Sequence, residues 1–148
     1  MAEARFQHAI ELRVPPETLL SFLSDLHHHR DLHPLIERIE DLPPAPERPA
    51  ARRYRVVDRL RLGPLRFRTT YVAELEPASA SEIRGTAWQS PGVEVHTRYR
   101  VTPAPEGTRL CEDAIVKAPR LLLGYVRRQA EAAHRETLAK LKAHLETA

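Results

Sequence analysis

The chain has 148 residues, with 23 basic and 20 acidic side chains, eight histidines and a single cysteine. That length suits one domain spanning residues 1–148, and a hydrophobic share of 42% excludes a disordered polymer. The lone Cys111 excludes an internal disulfide framework and a cysteine-rich zinc site, and no apolar run approaches the ~18 residues of a membrane-spanning helix.

The elements follow from pattern and punctuation. Phe6, His8, Ile10, Leu12 and Val14 alternate with Gln7, Ala9, Glu11 and Arg13, which predicts a half-buried strand over 6–14. Pro15-Pro16 ends it, and Pro16 with Glu17 suits the first turn of a helix. Leu19, Phe22, Leu23 and Leu26 then recur at helical spacing, which predicts a helix over 16–26. A second, shorter helix is predicted over 27–32. It stops before His33, which Pro34 pushes toward extended geometry. A strand is predicted over 35–42, and Pro43, Pro44, Pro46 and Pro49 mark a loop. From Arg52 to Ala118 one alternating segment follows another, separated by Gly63-Pro64, by 77–81, by Ser90-Pro91-Gly92 and by 103–107. Turn signals this close predict an antiparallel meander. Pro119 closes it. Leu122, Val126, Ala130, Ala133, Thr137, Leu141 and Leu145 then form the stripe of one long helix over 120–145. The small residues in that stripe leave room beneath it.

The order is strand, two short helices, antiparallel strands and one long C-terminal helix. Within it, Ile10-Glu11-Leu12-Arg13-Val14-Pro15-Pro16 runs a strand into proline before the first helix. Phe22-Leu23-Ser24-Asp25-Leu26, His33-Pro34-Leu35 and Gly107-Thr108-Arg109-Leu110 follow in turn. In this order, and over nearly the whole chain, these segments resemble the START-like superfamily (SRPBCC) of polyketide cyclases, dehydrases and lipid-transport proteins. The resemblance implies an α+β helix-grip fold: a curved antiparallel sheet wrapped around the C-terminal helix, enclosing a hydrophobic ligand cavity. It implies no fixed catalytic residues, since members range from lipid-binding carriers to cyclases.

Alternation places Asp58, Thr69, Tyr71, Gln89, Thr97, Tyr99 and Glu112 on the inward face. A packing core would not select these residue types, because a buried unpaired carboxylate is costly and its pKa rises. A partly polar pocket would select them. The expected ligand-binding set is these seven with Phe67, Val126, Ala130 and His134, and with His33 and Trp88 at the cavity mouth. Asp58, Glu112 and His134 are the candidate acid–base groups should the protein be an enzyme. The competing reading pairs each carboxylate with an inward Arg, a Tyr hydroxyl or water.

His29 and His33 are spaced as two metal ligands on a helix would be. Pro34 argues against a regular helix there, and neither a metal nor another cofactor is expected. Arg53, Arg55, Arg59, Arg61, Arg66, Arg68, Arg84, Arg98, Arg100 and Arg109 fall on the outward face, with Glu74, Glu82, Glu94 and Asp113 interleaved. Trp88 is the single stacking aromatic there, so a solvated, salt-bridged face is expected rather than a nucleic-acid platform. Residues 1–8 lack the apolar core of a signal peptide, which points to a reduced, soluble, cytoplasmic protein. The expected activity is binding, with carriage, of a small hydrophobic or amphipathic molecule by a monomer or homodimer. A polyketide cyclase or dehydratase using a cavity carboxylate is the alternative. A macromolecular interaction module using the Arg-rich face is the second.

Overall fold

In the computed structural model, which describes residues 2–90 and 92–147 and omits the Leu62 side chain, β1 (Ala2–Leu12) leads through Pro15 into α1 (Pro16–Leu23). The first helix ends earlier than its spacing predicts. Asp25 is extended (φ −125°, ψ 118°), and its carboxylate accepts the His27 N–H at 3.0 Å. That bond starts the second short helix, a 3₁₀ helix over Leu26–His29 that ends earlier than the 27–32 expected. Then come β2 (Ile36–Leu42), β3 (Arg52–Leu62), β4 (Leu65–Ser79), β5 (Glu82–Gln89), β6 (Val93–Ala104), β7 (Gly107–Ala118) and α2 (Arg120–Glu146). β4 runs past its predicted end at 76, through Pro77, with a register break between Pro77 and Ser79.

All seven strands join one antiparallel sheet in the order β1-β7-β6-β5-β4-β3-β2. The chain's first strand therefore lies beside its last, and the sheet curves around α2 as a helix-grip. Gly107 makes the closure possible. At φ +151° it brings β7 so near the β1–α1 corner that a β-carbon would lie 2.2 Å from the Leu12 carbonyl oxygen. The Thr108 hydroxyl then donates to the Val14 carbonyl at 2.6 Å. This is the physical content of the Gly-Thr-Arg segment.

The two halves of α2 do different work. Toward its C-terminal end Leu138 and Leu141, with Leu145 beside them, pack on Leu12, Leu19, Leu23 and Leu110 in a solid core. Toward its N-terminal end Val126 and Ala130 meet only a smaller cluster around Phe6, Ala114 and Val116. The helix is pinned at one end and stands over space at the other.

The outward arginines are largely neutralised by carboxylates of the sheet, most of them on another strand. Glu37 takes Arg59 and Arg68, Glu82 takes Arg84 and Arg98, and Asp113 takes Arg100. Glu74 departs from the expected solvated face: it is buried, and Arg48 from the proline-rich loop clamps it at 2.6 and 3.0 Å. The same guanidinium lies 5.7 Å from the Trp88 ring centroid. Arg48→Met should lower the urea-unfolding midpoint by leaving Glu74 without its main partner. An unchanged midpoint would show that the pair does not anchor the loop.

Candidate ligand cavity

Beneath the N-terminal half of α2 lies a cavity of about 640 Å³. Its walls come from β3–β6, from the segment after the 3₁₀ turn and from α2. Ten of the eleven residues expected to bind ligand line it: Asp58, Phe67, Thr69, Tyr71, Gln89, Thr97, Tyr99, Val126, Ala130 and His134. His33 lines it too. The period of two brings them to one surface, and the apolar walls are completed by side chains such as Leu60, Leu75, Val93 and Val95.

Two placements differ from expectation. Trp88 is not at the mouth: it sits one residue out of phase with Ala87 and Gln89, so it stands on the other face of β5 beneath Arg48. Glu112 is inward but does not border the cavity. Its carboxylate lines a side space of about 20 Å³, room for one water, shared with His29, His33, Tyr99 and His134. Glu112 Oε2 lies 3.1 Å from His134 Nδ1. Partnership, rather than ligand exposure, explains this buried acid.

Sequence reasoning missed His29, Tyr125, Arg128 and Gln129, all of which line the cavity. The three on α2 were legible. Tyr125 and Gln129 stand i, i+4 and directly precede Val126 and Ala130 on the same face. His29 was not, because its direction depends on the 3₁₀ turn.

The polar groups form one connected cluster. His134 packs edge-on against Phe6 and His33, with ring centroids 5.4 and 6.1 Å away. Tyr99 and His8 are the register neighbours of Glu112 on the adjoining strands. Burial pushes Glu112 upward, but His134 and then Tyr99 outweigh it and leave its carboxyl below the usual range. Burial likewise opposes protonated His134, and Glu112 outweighs that, so its imidazole is held above its ordinary value. Both shifts favour the charged pair, a carboxylate beside an imidazolium. Nδ1 is committed to Glu112, and among the described residues Nε2 has no protein partner.

Asp58 lacks such a cation. Burial pushes its carboxyl up to about 7, against the smaller opposing pull of the Tyr71 hydroxyl and His134. His29 and His33 move the other way, down to about 4 and about 3, because burial disfavours their charged forms and His134 repels them. Asp58 Oδ1, Thr69 Oγ1, Tyr125 Oη and His29 Nε2 are buried without a hydrogen-bond partner among the described residues. Four cavity residues therefore retain unused hydrogen-bonding capacity. Among the described residues no group of three His, Cys, Asp or Glu side chains is placed to hold a metal ion, and no helix is long and apolar enough to cross a membrane.

A curved sheet gripping a helix over a partly polar cavity defines a helix-grip protein with an internal pocket. The family described as "Polyketide cyclase / dehydrase and lipid transport" matches residues 3–146, and the chain belongs to it. No curated protein sequence matches the chain. Among solved structures it is similar to a START superfamily protein from Mycobacterium smegmatis, at 20% identity and TM-score 0.74 over 97% of each chain. It is also similar to the ZhuI aromatase/cyclase from Streptomyces sp. R1128, at 17% identity and TM-score 0.68 over 96% of this chain and 91% of that one. The di-domain aromatase/cyclase StfQ of the steffimycin biosynthetic pathway matches at 15% identity and TM-score 0.75, over 95% of this chain and 50% of its own length. At these identities the likeness shows the fold alone.

Proposed function

We propose that the protein binds, and carries, a small hydrophobic or amphipathic molecule in the cavity beneath α2. The observation that carries this reading is the cavity itself: about 640 Å³ of space with largely apolar walls, within the ~300–1,000 Å³ typical of small-molecule sites. Binding is driven by burial of apolar ligand surface, at roughly 25 cal/mol per Å² before ordering costs. Asp58, Tyr71, Tyr99, Gln89 and His134 supply the few polar contacts that orient the ligand. Val126 and Ala130 form its roof.

The test uses the intact chain. Native mass spectrometry followed by solvent extraction identifies any molecule carried through purification. Displacement of the neutral fluorophore N-phenylnaphthylamine then measures access to the cavity. Ala130→Phe places a ring in the space beneath α2 and should weaken fluorophore binding about tenfold. Its thermal midpoint should stay within a few degrees of the parent. Equal binding by parent and variant would overturn the cavity reading.

A second reading, a cyclase or dehydratase of polyketide-like substrates, is favoured by one observation. Asp58 is pushed to about 7 and lines the cavity, in the range where a carboxyl both donates and accepts protons near neutral pH. The His134–Glu112 pair supplies a second proton-bearing group on the opposite wall. This reading requires that Asp58→Asn abolish turnover of such a substrate while its binding survives. Loss of both together, or of neither, would reject it.

A further inference from the structure

We propose that the rim of the cavity is a docking surface for an anionic lipid bilayer. Leu65, Phe67, Leu121 and Leu122 are the large apolar side chains left exposed among the described residues, at 64, 37, 98 and 39%. All four fall on two segments, the β3–β4 hairpin tip and the first turn of α2. These segments flank one opening, because Phe67 and Leu122 both line the cavity.

The charge of the two segments is equally one-sided. No acidic residue lies between Asp58 and Glu74, or between Asp113 and Glu131. Most arginines of the sheet face have carboxylate partners. At the rim, Arg61, Arg66, Arg120 and Arg128 have none within 4.0 Å among the described residues. Arg61 and Arg66 face each other across the hairpin, and Arg128 also lines the cavity. Juxtaposed like charges cost stability unless an anion answers them.

An anionic bilayer answers both features. Its headgroups neutralise unpaired arginines, and the underlying acyl region takes up leucines that project separately and form no groove of their own. A protein partner would need a complementary apolar pocket at each of the two sites, whereas a lipid surface adapts to both. Docked this way, the opening between Phe67 and Leu122 faces the lipid, so an apolar molecule passes to the cavity without crossing water.

The experiment is co-sedimentation of the intact chain with phosphatidylcholine vesicles, with and without roughly 30 mol% phosphatidylglycerol. Binding to the anionic vesicles should be at least about tenfold tighter than to neutral ones, and should fall as salt shortens the Debye length from about 10 Å to about 3 Å. The pair Arg61→Gln and Arg66→Gln should weaken it about 25-fold, about fivefold for each charge removed. The pair Leu65→Ser and Leu121→Ser should weaken it about tenfold at constant salt. Arg84→Gln with Arg100→Gln, on the sheet face, should leave it unchanged. All these positions are on the surface, and circular dichroism checks that each variant folds. Absence of vesicle binding, equal binding to neutral vesicles, or equal losses from the sheet-face and rim variants would overturn the proposal. So would a dimer that the leucine variant dissolves, or retention on a soluble polyanion, when vesicles do not bind. Vesicle binding does not depend on what the cavity holds, so a negative result leaves the cavity reading standing.

Discussion

Replacing Glu112 with alanine is expected to remove about 3–5 kcal/mol of folding stability. The Glu112 side chain is 2% exposed and its Oε2 lies 3.1 Å from His134 Nδ1, so its charge depends on that partner. Truncating one member of a buried pair leaves the other desolvated and uncompensated. His134 in the variant should therefore give up its proton and titrate below its ordinary value, where the intact pair holds it above. The pH window follows from the two directions. The Glu112 contribution, from a lowered folded pKa, is present above the unfolded carboxylate value and lost as pH falls through the folded one. The His134 contribution, from a raised folded pKa, is present below 6.5 and lost as pH rises through the folded value. Urea unfolding of Glu112→Ala, His134→Ala and the double variant gives the coupling directly. A coupling of about 1.5 kcal/mol or more is expected near pH 6, and additive losses would show that the two side chains act independently.

Asp58→Asn should change the shape of the stability–pH profile more than any surface substitution. The Asp58 carboxyl is moved from 3.8 to about 7 by burial. A raised folded pKa means that its contribution is fully present below the unfolded value and is lost as pH rises through about 7. The swing is on the order of 4 kcal/mol at 1.36 kcal/mol per pKa unit. His29 and His33 act oppositely. Their folded values of about 4 and about 3 lie below the ordinary imidazole value of 6.5, so their contributions are present above that value and lost as pH falls. Between roughly pH 4.5 and 6.5 the protein therefore balances one group against two, and stability rises with pH by the equivalent of about one proton. Asp58→Asn removes the opposing group. Its profile over that range should be about twice as steep, and it should exceed the parent in stability at pH 8. Parallel profiles separated by a constant offset would show that Asp58 is not the buried, uncharged group described.

Much of this architecture was legible in the residues. Alternation through Tyr54, Val56 and Asp58, and through Leu65, Phe67, Thr69 and Tyr71, marks strands because side chains on a pleated backbone change face at every step. Gly63-Pro64 marks a turn through its own backbone preferences, as do Ser90 and Gly92 on either side of Pro91, which lies outside the described residues. These are local properties, and they also assign each side chain to a face. The same pattern could not show that Glu74, on the outward face, would be buried beneath Arg48. That contact joins a strand to a loop 26 positions away in the chain.

The sequence by itself determined the order of elements, the inward set on the sheet and the small residues along α2, because periodicity and turn chemistry act over a few residues. Tertiary structure alone decided that the inward set encloses space. The size of the cavity depends on how far the N-terminal half of α2 stands from the sheet. That distance is set at the helix's other end, where Leu138 and Leu141 pack against Leu12, Leu19, Leu23 and Leu110. It also decided which carboxylate faces the cavity and which is consumed by a partner. Asp58 and Glu112 look alike in the alternation, yet only Glu112 is in hydrogen-bond contact with an imidazole, because α2 meets β7 at His134 and that side chain acts on Asp58 only through space.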